Sequence, residues 1–102
     1  MALTLTTCRA PKWKQAAESL KAIAHPVRLA MIDLLREGEK NVTEIHLALG
    51  LEQAVASQHL SILRDKGVCV SRRAGKHAYY HLQDHALVDA VELVVKEMEH
   101  TR

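Results

Sequence analysis

Residues 42 to 66 read VTEIHLALGLEQAVASQHLSILRDK, and the Gly50-Leu51 step divides them into two short apolar-periodic segments. No other feature constrains the fold as strongly. Glycine enters the left-handed conformation that ends a helix without a Cβ penalty, so a second helix can leave the first at a steep angle within a few residues. In the first segment Val42, Ile45 and Leu49 recur at helical spacing and are expected to face a core. In the second, Val55, Leu60 and Leu63 with Ile62 read as the inner face, and Gln53, Ala54, Ser57, Gln58 and Ser61 as the outer one. Most solvated helices carry Lys and Glu outside. A patch of Gln, Ser and Ala instead offers donors, acceptors and a methyl to base edges without a dominating charge. A plain solvated hairpin of helices shares the first half of this pattern, so the flanking sequence has to separate the two readings.

Directly after Gly67 comes VCVSRRAGKHAYYHL, two β-prone runs, Val68 to Arg73 and Ala78 to Leu82, around a turn at Ala74 to His77. Arg72, Arg73 and Lys76 collect at the tip, with Gly75 in the turn. A hairpin projecting beside a recognition helix would bring these three side chains to the phosphate backbone. Helix, turn, helix and basic wing in this order form a specific combination.

The net charge of +2 hides an uneven distribution. Between Arg64 and His77 the basic residues Arg64, Lys66, Arg72, Arg73 and Lys76 face only Asp65. Between Asp84 and Glu99 the acidic residues Asp84, Asp89, Glu92, Glu97 and Glu99 face only Lys96. Such a dipole turns the hairpin toward a polyanion. At 102 residues the chain suffices for one small domain, and with aromatics at 3% and no Phe, aliphatic side chains must pack it. Cys8 and Cys69 stand far apart, with neither a disulfide framework nor a metal knuckle in their spacing. No apolar run approaches the roughly 18 residues of a membrane span, and MALTLTTCRAPKWK lacks the order of a signal peptide, so a soluble cytoplasmic protein is expected. No Ser/His/Asp order, phosphate loop or compact acid pair points to an enzyme.

Pro11 opens a helix expected over Lys12 to Ala24, with Trp13, Ala16, Ala17, Leu20 and Ile23 at helical spacing. His25-Pro26 interrupts it. The next helix is expected to end at Gly38, with Val27, Leu29, Ala30, Ile32, Leu34 and Leu35 inward and Arg28, Asp33 and Arg36 outward. A last helix from Asp84 to about His100 carries a wide stripe of Leu87, Val88, Val91, Val94 and Val95. These features predict a mainly α fold with a small β-hairpin: a winged helix-turn-helix of about five helices and a two-stranded wing. Residues 1 to 10 read as a tail and 11 to 102 as a single domain. The stripes of the first and last helices predict a dimer that sets two recognition helices on one side.

LKAIAHPVRLAMIDLL followed by VTEIHLALGLEQAVASQHLSILRDKGVCVSRRAGKHAYYHL resembles the ArsR/SmtB family of small bacterial winged helix-turn-helix repressors. Its most specific pieces are Ala24 to Leu29, Ser57-Gln58-His59-Leu60 with Leu63-Arg64, and the hairpin from Arg72-Arg73 to Tyr79-Tyr80. The resemblance implies a homodimer on an inverted-repeat operator, released by an inducer. Its DNA-facing residues would be Gln53, Ala54, Ser57, Gln58 and His59, with Arg72, Arg73 and Lys76 from the wing. The family's usual Ser-x-Ser at the start of the recognition helix is Glu52-Gln53-Ala54 here; an acid suits the helix dipole but repels phosphate.

For the inducer, the resemblance offers two metal sites. The first needs paired cysteines in the helix over Thr43 to Leu49, which has none. The second uses the last helix, where Asp84, Glu97 and His100, with His85 one place out of register, form a degenerate set for a weakly bound divalent metal, Zn or Ni. Capping by Asp84 and a dipole contact by His100 explain the same residues without a metal. His25 is expected to be a buried hydrogen-bonding residue at its helix junction, and His59 to position the recognition helix or touch a phosphate. His77 and His81 share a strand face. Cys69 is expected to be a buried, inert thiol, and Cys8 to be accessible. Two other readings stay open: a winged-helix module that binds protein without reading DNA, and a family member regulated by thiol chemistry or a small molecule.

Overall fold

Two prolines and one histidine set the first two helices. In the computed structural model, which describes residues 11 to 83 and 85 to 100, α1 spans Pro11–Ile23 and α2 spans Pro26–Leu35. His25 caps α2: its backbone is extended, and its Nδ1 accepts a hydrogen bond from the Val27 amide at 3.1 Å. The last turn of α2 tightens into bonds to the third residue back, from Glu37 to Leu34 and from Gly38 to Leu35. The regular helix therefore stops before Gly38. Met31, Ile32 and Leu35 are buried, whereas Ala30, expected inside, is exposed. Arg28, expected outside, is half-buried.

β1 (Lys40–Asn41) leads into α3 (Val42–Leu49). Asn41 forms a reciprocal cap with Glu44, each side chain accepting the other's amide, at 2.8 and 2.9 Å. The other end closes as anticipated. Gly50 sits at φ 65°, and the amides of Gly50 and Leu51 donate to the carbonyls of Leu47 and His46, the Schellman pattern. The His46 Nδ1–H donates to the Leu51 carbonyl at 3.0 Å and braces the same turn. α4 then runs Gln53–Asp65.

In α4 the buried side chains are Ala56, Leu60 and Leu63, which lie within an arc of roughly 60° at about 100° per residue. Val55, expected inside, is 37% exposed, and Ile62 is only half-buried. The two leucines set the phase of the helix. Ala56 then falls on the inner line, where its small side chain admits close approach of the neighbouring helices.

β2 (Cys69–Ala74) and β3 (His77–Leu82) make the hairpin, with Cys69 opposite Leu82 and Ala74 opposite His77. Gly75, at φ 64° in the first central position, fits a type II′ turn. The sheet has three strands, not the two expected, because β1 pairs antiparallel with β3 through Lys40 with Tyr80 and Asn41 with Tyr79. Two residues are too few to show alternation in a sequence. α5 (His85–His100) completes the five helices among the described residues, burying Val88 and Val91 against the rest. Arg36 joins α2 to α5 through Glu92 at 3.0 Å. Along one side α1 and α5 leave an apolar groove lined by Leu20, Ile23, Leu29, Val91, Val94 and Val95. Trp13 and Leu93 are exposed as well. The tail (residues 1 to 10, with Cys8) and Asp84 lie outside the described residues.

Candidate nucleic-acid interface

Because Ala56, Leu60 and Leu63 point inward, the opposite side of α4 is fixed. Gln53, Ala54 and Gln58 are exposed together with Val55, and Ser57 and Ser61 lie half-buried at the edge. The uncharged stripe is therefore present, with a valine added to it. Glu52 caps α4 with extended backbone, but its side chain makes no capping bond. The first amides of the helix thus keep their affinity for an acceptor, with a carboxylate next to them.

His59 does not join the stripe. Its ring centroid stands 4.6 Å from that of His25, and its Nδ1 accepts from the Arg28 Nε at 3.2 Å. Arg28 also donates to the Ala22 carbonyl at 3.0 Å. One guanidinium therefore ties the end of α1, the start of α2 and the middle of α4. Burial, then the neighbouring His25 and Arg28, lower the pKa of His59, which favours the neutral ring that this hydrogen bond requires.

The basic run of the wing also divides. Strand alternation places Cys69, Ser71 and Arg73 on one face of β2 and Val70, Arg72 and Ala74 on the other. Arg73 and Lys76 are exposed at the tip. Arg72 lies over the Tyr79 ring, 4.9 Å from its centroid, and its guanidinium donates to both Glu39 carboxylate oxygens at 2.6 and 2.9 Å. The His81 Nδ1 is 3.6 Å from the same carboxylate. The hydrogen bond from Arg72 holds Glu39 below its ordinary carboxylate pKa. Sequence reasoning missed Glu39 and the inward role of Arg28, since their partners stand 33 and 31 residues away.

Cys69 is buried, and burial pushes its thiol up to about 11. Of the proposed metal ligands, Asp84 lies outside the described residues, as do the side chains of His85 and His100; Glu97 is exposed near the end of α5. Among the described residues no group of three potential ligands converges. No described helix is long and apolar enough to cross a membrane.

Residues 25–69 match the family described as bacterial regulatory protein, arsR family. The transcriptional repressor SmtB of Mycobacterium tuberculosis is 43% identical over 76 residues, covering 74% of this chain and 56% of that protein. The chain thus spans little more than half of that relative. NmtR, a transcriptional regulator of the same organism, is 36% identical over 86 residues, 84% of this chain and 72% of that one. Among solved structures, a homodimeric winged helix-turn-helix DNA-binding domain from Mycobacterium bovis, a possible ArsR-family regulator, superposes with a TM-score of 0.80 at 33% identity, covering 99% of this chain and 94% of that one. With the order of elements and the hairpin in agreement, the chain belongs to the ArsR family of bacterial regulatory proteins and has the winged helix-turn-helix fold.

Proposed function

We propose that the chain is a sequence-specific transcriptional repressor that acts in the cytoplasm as a homodimer on an inverted-repeat operator, by binding rather than by catalysis. The carrying observation is the exposed face of α4, where Gln53, Ala54 and Gln58, edged by Ser57, stand without a Lys or Glu among them beside a basic wing. Gln pairs with the N6 and N7 edge of adenine, Ser bonds to several bases, and Ala accepts a thymine methyl. Arg73 and Lys76 would supply phosphate contacts that fix the register. His59, held between His25 and Arg28, would set the pitch of α4 in the groove rather than touch a base.

The apolar groove of α1 and α5, with the exposed Leu93 and Val94, would be covered by the same surface of a second copy. The homodimeric Mycobacterium bovis relative supports a dimer. Two α4 helices would then stand roughly 34 to 36 Å apart, one turn of DNA. For the inducer, Glu97 and His100 stand three apart in the sequence, the spacing of one helical face. With Asp84 from the partner chain, and His85 or water in a fourth position, they would hold Zn or Ni weakly and exchangeably. Such an ion shifts DNA binding only by its differential affinity for the two states.

Selection from a random duplex pool tests the reading. Enrichment of two-fold related half-sites one turn apart is expected, and Gln58→Ala should relax one position per half-site at a cost of about 1 to 3 kcal/mol. A pool that is not enriched, or a preference unchanged in Gln58→Ala, would count against it. Equilibrium dialysis with Zn or Ni, on wild type and His100→Ala, tests the metal.

A further inference from the structure

Arg72, Arg73 and Lys76 are neighbours in sequence but do not share a surface. On β2 the face of Arg73 continues the one that carries the buried Cys69, toward the core and α4. Arg72 points to the opposite face, where its cross-strand neighbour is Tyr79 and where His77 and His81 also project from β3. Tyr79 in turn pairs with Asn41 of β1, and Glu39 immediately precedes that strand. The Arg72 guanidinium therefore crosses the Tyr79 ring and closes on Glu39 beyond β3 with two hydrogen bonds of 2.6 and 2.9 Å. Beyond this clasp, β1 pairs with the hairpin through Lys40 with Tyr80 and Asn41 with Tyr79. β1 continues without a break into α3, which sets the angle of α4 through the Gly50 turn. A planar fork held at two points, with an aromatic ring beneath it, fixes an orientation that a lone lysine could not.

We infer that Arg72 is a positioning residue: clasped to Glu39 across Tyr79, it fixes the wing to the turn before α3, and the phosphate contacts of the wing fall to Arg73 and Lys76. This rests on the DNA-binding reading, and it divides the basic run by role. While its fork is taken by a carboxylate, Arg72 has to surrender two charge-assisted bonds before it can reach a phosphate. Arg73 and Lys76 give up nothing comparable, since neither forms an ion pair among the described residues.

The test uses the full chain and the duplex enriched on the wild-type protein, with anisotropy titrations over a series of KCl concentrations. Each phosphate contact adds about 0.9 to the slope of log affinity against log salt, so Arg73→Gln, acting on both protomers, should flatten it by about 1.8. Arg72→Gln and the nearly isosteric Glu39→Gln should change the slope far less than Arg73→Gln does and weaken binding at low salt by up to about thirtyfold, the upper end of what two exposed pairs, one in each protomer, contribute. The exchanged pair Glu39→Arg with Arg72→Glu should recover most of the affinity lost in Arg72→Glu alone. A slope in Arg72→Gln as flat as in Arg73→Gln would make Arg72 a phosphate ligand and overturn the inference. So would tighter or unchanged binding by Glu39→Gln, or an exchanged pair no better than Arg72→Glu. If wild type enriches no duplex, it is the DNA-binding reading that has failed, which the selection reveals before any variant is compared.

Discussion

Exchanging the sizes of two adjacent residues in α4 tests which face of that helix is turned to the core. Val55 is 37% exposed and Ala56 is fully buried. Trimming Val55 to Ala removes two methyl equivalents, each worth about 0.8 kcal/mol when buried, and burial of about two-thirds leaves roughly 1 kcal/mol of loss. The better helix propensity of Ala returns roughly 0.5 kcal/mol, so Val55→Ala should cost only about 0.5 kcal/mol. Ala56→Val adds volume where no free surface remains. Overpacking costs roughly 1 to 3 kcal/mol and the poorer propensity about 0.5 more, for a total of about 1.5 to 3.5 kcal/mol. Urea denaturation at one fixed protein concentration reads both values, the concentration being held because a dimer's stability depends on it. A loss above about 2 kcal/mol in Val55→Ala, with Ala56→Val neutral, would refute the assigned phase. A one-residue change of phase rotates every side chain of α4 by about 100° and would carry Gln58 off the outer face.

In a Cys8→Ser background the Cys69 thiol, pushed up to about 11 by burial, should resist a thiol reagent at pH 8 in the native protein and react at once in urea; rapid native labelling of that variant would contradict its placement. The lowered pKa of His59 gives stability that is full above the unfolded imidazole range and is lost as pH falls through that range toward the folded value. His59→Gln should therefore flatten the drop in urea midpoint between pH 7 and 5. Glu52→Ser supplies the missing cap of α4 and removes a carboxylate beside the proposed DNA-reading face, so thermal stability should rise by about 1 kcal/mol and operator binding should tighten; a fall in both would show that the acid is needed. Val94→Asp, in the exposed wall of the α1 and α5 groove, should yield folded monomers in light scattering, and an unchanged dimer would remove that interface.

Local rules that a short stretch of chain enforces on itself were legible in the residues. Pro26 after His25 required a helix junction, and the junction is there with His25 as its cap. Gly50 required a left-handed helix end, and the Gly75 turn required a hairpin; both glycines take positive φ. The neutral stripe of Gln53, Ala54 and Gln58 was readable for the same reason, since helical spacing alone groups it. Tertiary structure decided what depends on distance along the chain. Ala56 rather than Val55 faces the core because Leu60 and Leu63 choose the phase, and only packing reveals which apolar residue yields. β1 exists because Tyr79 and Tyr80 supply partners to two residues that could not make a strand alone. His59 turns away from the stripe because Arg28, 31 residues earlier, holds it. The basic run of the wing splits because a strand sends adjacent side chains to opposite faces and a carboxylate 33 residues away waits on only one of them. Periodicity encodes which residues share a face; which neighbour that face meets is fixed only when the elements pack.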